Sequence, residues 1–234
     1  MKKSGFHELS NPVVVDFPLA GEWWAVNSPG TKIPSHGTDM LGQRYAYDFI
    51  MVDWDNKKKP YISSQLQYLI AGMPLQKWYG WGQNIYAPKD GIIIDVKDGL
   101  KERKRLHILS DMFVALKNGL SFNPDKSDLH SVVGNYIVMQ IDNNVFAYLV
   151  HFKTDSICVK KGQQVNTGDL LGQVGHSGNS TMPHLHFHIM DSADPRIGNG
   201  IPCAFRQYER CTNNKWEEVN NGIPTSEERI RGII

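Results

Sequence analysis

Histidine alternates with a large apolar residue from His184 to Ile189, and this alternation constrains the fold more than any other feature of the sequence. Successive side chains of a β-strand point to opposite faces, so His184, His186 and His188 would share one face and the apolar residues the other. Packing three imidazoles together is unfavourable because burial removes their hydration and because they repel one another when charged. A solvated strand face is the alternative, but the triplet favours a strand with one face in a core and the other lining a metal site.

Short apolar runs rich in Val, Ile, Tyr and Phe, separated by frequent turn residues, predict a mainly β, antiparallel fold. The 234-residue chain contains 21 glycines and 12 prolines. The clearest hairpin joins residues 136–141 to residues 145–150 through Asp142, Asn143 and Asn144, whose residue types tolerate turn conformations. The other predicted strands are residues 91–96, 159–165, 170–174 and 184–190, the last of which ends the β core.

Two segments interrupt this pattern and are predicted to be insertions into the β core. The first, about residues 53–83, contains a short predicted helix at 63–72 and the aromatic residues Trp78, Tyr79 and Trp81. These rings would suit contact with a peptide or a sugar, or equally the core of an added subdomain. The second insertion is about residues 99–132. Its apolar residues recur at a helical spacing, at Leu106, Leu109, Phe113 and Leu116.

The length of the chain allows one elaborated domain or two, at roughly 150 residues per domain. The C-terminal extension, residues 192–234, is predicted to be irregular apart from a final turn of helix at 225–231. Because the two insertions and this extension account for the excess length, we expect a single domain over residues 1–234 with its core at about 34–190.

The charges nearly cancel, since 25 Lys and Arg residues against 24 Asp and Glu residues give a net charge of +1. This balance of charges argues against binding to nucleic acid. In addition, no apolar run approaches the roughly 18 residues that a membrane span needs. Residues 4–12 contain no apolar signal region or cleavage site, so we expect a cytoplasmic protein, or a secreted or periplasmic one whose export signal has been removed. The oligomeric state stays open. Cys203 and Cys211 are close enough in sequence to bridge a small loop, which would leave Cys158 unpaired.

A metal on the histidine strand needs ligands from elsewhere, because a catalytic zinc typically has three protein ligands and a water. His36 lies in a loop-like stretch, residues 34–39. Asp48 is the single carboxylate in an otherwise apolar strand, residues 44–50, and such a carboxylate is usually paired or bound to a metal. His36 and Asp48 are therefore candidate ligands.

Several short motifs follow one another in order between residues 34 and 190. They are His36, Tyr47-Asp48-Phe49, residues 84–91, residues 134–138, Tyr148-Leu149-Val150-His151, residues 161–165, residues 168–172, residues 175–178 and residues 183–187. A His-x-His motif alone is weak, but the Tyr-x-x-His motif upstream and the glycine-rich segment between them make it specific. In this order the chain resembles the lysostaphin-like zinc metallopeptidases of family M23, also called LytM-type endopeptidases.

The resemblance implies a small antiparallel β fold of the duplicated-hybrid-motif type, whose groove binds one zinc ion per chain through His36, Asp48 and His186. It makes His151 and His184 the catalytic histidines that do not bind the metal. A zinc-activated water would then hydrolyse a peptide bond in peptidoglycan cross-links or stem peptides. One of the two histidines could transfer the proton to the leaving amine and the other could hydrogen-bond to the water or the oxyanion, and these roles could be exchanged.

Some positions depart from the family pattern. The family's Asp follows its His by four residues, whereas Asp48 follows His36 by twelve and Asp39 follows it by three. Asp48 is preferred because it lies in the Tyr-Asp-Phe strand. His188 has no assigned role and is expected in the groove wall, and His176 is expected in the loop that approaches the groove. The histidines expected to be ordinary residues are His7, His107 and His130.

Two other functions are compatible with these residues. A non-catalytic M23-like domain would bind cell-wall peptide or regulate a partner. Residues 159–175 also resemble the hairpin of lipoyl or phosphocarrier domains, but Asn166, Thr167 and Gly168 stand at the tip, where such a carrier has its modified residue. Stoichiometric zinc would favour the peptidase over the carrier.

Overall fold

The computed structural model describes residues 9–107 and 128–233. Its strands, numbered along the chain, are β1 Val13–Val15, β2 Gly21–Asn27, β3 Tyr47–Ile50, β4 Met73–Pro74, β5 Asn84–Tyr86, β6 Gly91–Lys97, β7 Arg105–Leu106, β8 Asn135–Asp142, β9 Val145–Phe152, β10 Gln164–Val165, β11 Leu170–Gln173, β12 Leu185–Met190, β13 Gly200–Ile201, β14 Cys203–Thr212, β15 Lys215–Gly222 and β16 Arg229–Gly232. Its helical segments are α1 Gln65–Ala71, α2 Leu129–Val133 and the 3-10 segments Met40–Tyr45 and Leu75–Lys77. Within these residues no helix is long and apolar enough to cross a membrane.

Twelve of the strands form one sheet, in the order β1-β14-β16-β2-β3-β12-β9-β8-β6-β10, with β13 paired to β12 and β15 paired to β14. Two further pairs, β5 with β11 and β4 with β7, lie outside it. In the large sheet the pairings are antiparallel except that of β1 with β14. The mainly β, antiparallel fold expected from the sequence is confirmed.

The histidine strand is β12, and it lies in the middle of the sheet between β3 and β9. His186 is directly opposite Asp48 on β3 and Val150 on β9. The apolar residues that alternate with the histidines are fully buried in the main core, so the prediction of a two-faced strand is confirmed. The histidine face is largely buried as well, and the alternative of a solvated face is wrong.

Strands β8 and β9 form the predicted hairpin, and its turn contains Asn143 and Asn144, the second with a φ of +54°. The strands predicted at residues 91–96 and 170–174 correspond to β6 and β11. The strand predicted at 159–165 is reduced to β10, because a turn from Lys160 to Gln163, with Gly162 at a φ of +84°, precedes it.

The C-terminal extension belongs to the main sheet, so the prediction that it is irregular was wrong. Strands β14 and β15 form a hairpin whose turn residues, Asn213 and Asn214, both have positive φ. The helix predicted at 225–231 is replaced by a turn and β16, which pairs with both β14 and β2. The pairing of β16 with β2 joins residues about 200 positions apart, and local spacing carries no sign of it.

The cysteine pair suggested by the sequence is also ruled out. Cys203 and Cys211 lie on the same strand, β14, and a strand rises roughly 3.3 Å per residue. The two cysteines are eight positions apart on this strand. Their Cα atoms are therefore much farther apart than the roughly 7 Å that a disulfide allows. Both cysteines are free thiols, as is Cys158.

The first insertion contains α1, close to the predicted helix, and a small aromatic core. Trp78 packs edge-on against Tyr61 and Tyr68, with ring centroids 5.1 and 5.6 Å apart. Leu106 of the second insertion is fully buried in the same cluster, so the two insertions share a core. Trp78 is therefore a core residue, whereas Tyr79 and Trp81 are half-buried. The other residues of the predicted helical pattern, Leu109, Phe113 and Leu116, lie outside the described residues.

The buried side chains of the C-terminal extension should contribute to global stability. Phe205 on β14 is fully buried and packs against Phe17 and Phe49, with ring centroids 5.1 and 5.8 Å apart. We expect Phe205→Ala to lower the free energy of unfolding by about 3–5 kcal/mol, measured by urea denaturation. Ile197→Ala, at an exposed position of the same extension, is the control. Equal stability of the Phe205→Ala and Ile197→Ala proteins would contradict the prediction.

Candidate metal centre

Three side chains from distant parts of the sequence meet at the middle of the sheet. His36 follows β2, Asp48 lies on β3 and His186 lies on β12. His36 Nε2 is 2.8 Å from Asp48 Oδ2, and His186 Nδ1 is 2.8 Å from Asp48 Oδ1. One ligand atom from each residue lies within 4.8 Å of the others. The structure thus brings together the three residues predicted as metal ligands.

The sheet and one loop hold these residues in place. Asp48 and His186 are neighbours across the β3–β12 pair, so strand register alone sets their approach. The Ser35 hydroxyl donates to the Gln43 carbonyl at 3.3 Å and accepts from His36 Nδ1–H at 3.0 Å. With its proton on Nδ1, neutral His36 turns an unprotonated Nε2 toward Asp48.

The chemistry of these donors fits a zinc ion. An imidazole lone pair and a carboxylate oxygen are both acceptors, so their approach to 2.8 Å requires a cation or a proton to bridge them. Two imidazole nitrogens and one carboxylate oxygen are also the ligand types of catalytic zinc sites, which keep a further position open for water or substrate. His36, Asp48 and His186 could therefore hold such an ion.

Asp48 has a further partner that the sequence did not reveal. Asn27, the last residue of β2, donates its side-chain N–H to Asp48 Oδ2 at 2.6 Å. An irregularity between Ala25 and Asn27 shifts the β2–β3 register there, and no local motif marks it. Burial opposes ionisation of Asp48, but nearby His184 and His36 outweigh it and hold the pKa of Asp48 well below its usual range. The carboxylate is therefore the ionised form that a metal needs.

His184 borders the three candidate ligands with a defined tautomer. Its Nδ1–H donates to the Met182 carbonyl at 2.7 Å, so Nε2 of the neutral ring is unprotonated, and Nε2 lies 3.5 Å from Asp48 Oδ1. Burial disfavours the charged ring, but the Asp48 carboxylate outweighs burial and raises the pKa of His184.

His151 reaches the same site because β9 bulges. Asn135 and Tyr136 of β8 pair with Phe152 and Val150, so His151 has no residue opposite it, and its φ is +67°. Strict alternation from Val150 would point His151 into the main core, whereas the bulge turns it to the histidine face. Its Nδ1–H donates to the Ser177 carbonyl at 2.8 Å, and its ring centroid is 4.7 Å from that of His184. Burial, helped by His184 and His186, lowers the pKa of His151 well below its usual value.

His188 lies in the wall of the groove, as predicted. Its Nδ1 is 3.1 Å from His186 Nε2, and its ring stacks on Tyr148 with centroids 5.3 Å apart. It lines a cavity of about 140 Å³ together with His151, His186 and Tyr148. The cavity lies next to the candidate metal ligands, since His186 lines it.

Comparison with known proteins identifies the family. The sequence profile described as "Peptidase family M23" matches residues 78–196, just over half of the chain. The chain belongs to peptidase family M23. His151, His184 and His186 lie inside the matched residues, whereas His36 and Asp48 precede them. Membership of a peptidase family favours the peptidase over the carrier-domain alternative.

The relatives of this member of family M23 are similar over limited regions. Peptidoglycan DD-endopeptidase ShyA of Vibrio cholerae serotype O1 is 38% identical over 66 residues, which cover 28% of this chain and 15% of the relative. Peptidoglycan DD-endopeptidase ShyB of the same organism is 39% identical over 61 residues, covering 26% and 14%. The solved structure of the antimicrobial peptidase lysostaphin from Staphylococcus simulans is 18% identical with a TM-score of 0.39, covering 77% of this chain and 47% of that one. The aligned regions are thus small parts of the curated relatives.

The remaining histidines differ in their surroundings. His107 is exposed, and His130 Nε2 is 3.2 Å from the Asn135 side-chain oxygen. His7 lies outside the described residues. His176, in the loop before β12, is almost completely buried; burial and the nearby Arg103 lower the pKa of His176 to about 3.

Acidification should therefore destabilise the protein through His176. Between the ordinary histidine pKa of 6.5 and about 3, the unfolded chain binds a proton at this position and the folded chain does not. The free energy of unfolding should fall with pH in that interval, with a contribution of at most about 1.4 kcal/mol per pH unit. We expect urea denaturation to show a shallower pH dependence for His176→Asn than for wild type. Equal slopes for the wild-type and His176→Asn proteins would disprove the effect.

Proposed function

We propose that this member of family M23 is a zinc-dependent endopeptidase that hydrolyses peptide bonds in peptidoglycan cross-links or stem peptides. The observation that carries the proposal is the convergence of His36, Asp48 and His186 beside two further histidines, each with an unprotonated Nε2. The family supports peptide hydrolysis, and relatives named peptidoglycan DD-endopeptidases support the substrate class.

His36 Nε2, Asp48 and His186 Nδ1 would hold the zinc. With two neutral imidazoles and one carboxylate as ligands, the ion would act as a Lewis acid and lower the pKa of a water toward about 7. Asn27 would orient the ligating carboxylate, and Ser35 would fix the tautomer of the first histidine.

The two other histidines would handle the proton of the attacking water. In their neutral forms both His151 and His184 keep the proton on Nδ1, so each Nε2 can only accept. We assign the proton transfer to His184, because the Asp48 carboxylate 3.5 Å away stabilises its protonated ring. His184 would then pass this proton to the leaving amine. His151, which burial keeps neutral, would accept a hydrogen bond from the water and orient it.

The sequence contains no His-Glu-x-x-His arrangement, so the glutamate base of that class of zinc peptidases is missing. A histidine base is consistent with this difference. The groove also offers a mostly apolar wall of Val150, Tyr148 and Leu41 beside the candidate metal, which would exclude water from the reacting bond.

The substrate class can be tested directly. We expect the zinc-loaded protein to cleave defined cross-linked muropeptides, with the products read by mass spectrometry and short glycyl peptides as the comparison. Chelation should abolish cleavage and added zinc should restore it. Failure to cleave any of these peptides would indicate instead a non-catalytic domain that binds cell-wall peptide.

Substitutions should separate metal binding from proton transfer. His186→Ala should lose stoichiometric zinc, measured by elemental analysis, because only two ligands would remain. His184→Ala should keep its zinc but lower kcat by about 10²–10⁴, the range for a general acid-base residue.

His107→Ala, at an exposed position, should change neither quantity. Zinc bound with wild-type affinity in the His186→Ala protein would refute the ligand assignment. An unchanged kcat in the His184→Ala protein would refute the proton-transfer assignment.

A further inference from the structure

The second insertion reaches behind His184. Arg103 donates from Nη2 to His176 Nε2 at 2.8 Å and to the Ser180 carbonyl at 2.7 Å. His176 and Ser180 lie in the loop before β12, and both are almost completely buried. An arginine of an inserted segment thus contacts the loop that leads into the candidate active site.

Arg103 sets the direction of the hydrogen bonds in this loop. A guanidinium group only donates, so His176 Nε2 must accept and the proton of the neutral ring lies on Nδ1. His176 Nδ1–H then donates to Ser180 Oγ at 3.0 Å. Because burial and Arg103 lower the pKa of His176 to about 3, the ring stays neutral and this direction persists at neutral pH.

Ser180 connects His176 to His184. Its hydroxyl donates to the Met182 carbonyl at 2.6 Å, and the same carbonyl accepts His184 Nδ1–H at 2.7 Å. Ser180 Oγ lies 3.2 Å from His184 Nδ1 and serves as a second acceptor. Both contacts hold the Nδ1 side of His184, so its Nε2 is directed at the candidate metal centre.

Glu102 anchors the same segment of the insertion. Its carboxylate accepts from the His176 backbone N–H at 2.6 Å, from the Thr154 backbone N–H at 3.2 Å and from the Trp81 indole N–H at 3.0 Å. Thr154 follows β9, the strand of His151. Glu102 and Arg103 therefore hold the backbone near His184, through His176 and Ser180, and near His151, through Thr154. The contact of Arg103 with His176 thus belongs to a segment that is anchored at several points.

We propose that Arg103 is a positioning residue of the active site, which acts through His176 and Ser180 to hold the His184 ring with Nδ1 on the Met182 carbonyl. This inference rests on the proposed function, in which His184 transfers the proton. Without Arg103, His176 could carry its proton on Nε2, and its Nδ1 would then accept from the Ser180 hydroxyl. That exchange would withdraw Ser180 from Met182 and loosen the His184 ring.

The tautomers can be read without any catalysis. In metal-free protein with ¹⁵N-labelled histidine, long-range ¹H–¹⁵N correlation should show the proton on Nδ1 in both His176 and His184. In Arg103→Ala we expect the His176 signals to move toward the Nε2–H form. Arg105→Ala is the matched control, because Arg105 donates to the Ala71 and Gly72 carbonyls instead.

Kinetics should show the consequence for the reaction. We expect Arg103→Ala to lower kcat about tenfold, as loss of a group that orients an active-site residue commonly does, with KM and zinc content unchanged. Arg103→Lys keeps a cationic donor and should recover part of this loss. Arg105→Ala should match the wild-type enzyme.

Three results would overturn the proposal. The first is a wild-type protein in which His176 carries its proton on Nε2. The second is an Arg103→Ala protein in which both the His176 signals and kcat are unchanged. The third is an Arg103→Ala protein in which only KM changes, which would assign Arg103 to substrate binding. If Arg103→Ala fails to fold, the wild-type tautomers and the Arg103→Lys enzyme decide the question. If the zinc-loaded wild type cleaves no peptide, the proposed function fails, while the NMR result still tests the hydrogen-bonded chain.

Discussion

The buried carboxylate of Asp48 is the constraint on which the rest of the site depends. An ionised carboxylate inside a sheet is tolerated only when hydrogen bonds and opposite charge replace its hydration. Asn27 donates a hydrogen bond to this carboxylate, while His36 and His186 approach it to 2.8 Å, as a bridging proton or cation requires, with His184 close by. The arrangement therefore couples the fold of β2, β3 and β12 to the chemistry of the site, because the groups that stabilise the carboxylate in the folded chain are the groups that would bind a metal with it.

One face of the sheet contributes to stability, and the other carries the side chains of the candidate site. Fully buried apolar residues of β12 fill the main core, while the histidines between them face the groove. The bulge at His151 breaks strict alternation on β9, and it adds a histidine from that strand to the groove. A non-glycine residue with a φ of +67° is unfavourable, so the surrounding sheet must stabilise it. Such local strain at the candidate site is consistent with a backbone shaped for function as well as for packing.

Features that depend on local pattern could be predicted from the sequence, and features that depend on distant pairing could not. The two-faced strand β12 and the β8–β9 hairpin follow from alternation and turn residues, and the order of short motifs predicts the family. The contact of Asn27 with Asp48 arises from a register shift between β2 and β3, which no local spacing encodes. The pairing of β16 with β2 was missed for the same reason. The β14–β15 hairpin, in contrast, is local, and Asn213 and Asn214 mark its tight turn.

The place of β16 between β14 and β2 has a consequence for the order in which the sheet can form. Strand β2, which ends at Asn27, pairs with β3 on one side. Its neighbour on the other side is β16, which is available only after residues 229–232 have left the ribosome. Until then β2 is an open edge with unpaired backbone groups, and its closure requires contact across about 200 residues of chain. Such long-range closure is slow relative to local hairpins. The β2 edge of the sheet should therefore close later than the β8–β9 hairpin forms, because its pairing with β16 joins residues about 200 positions apart.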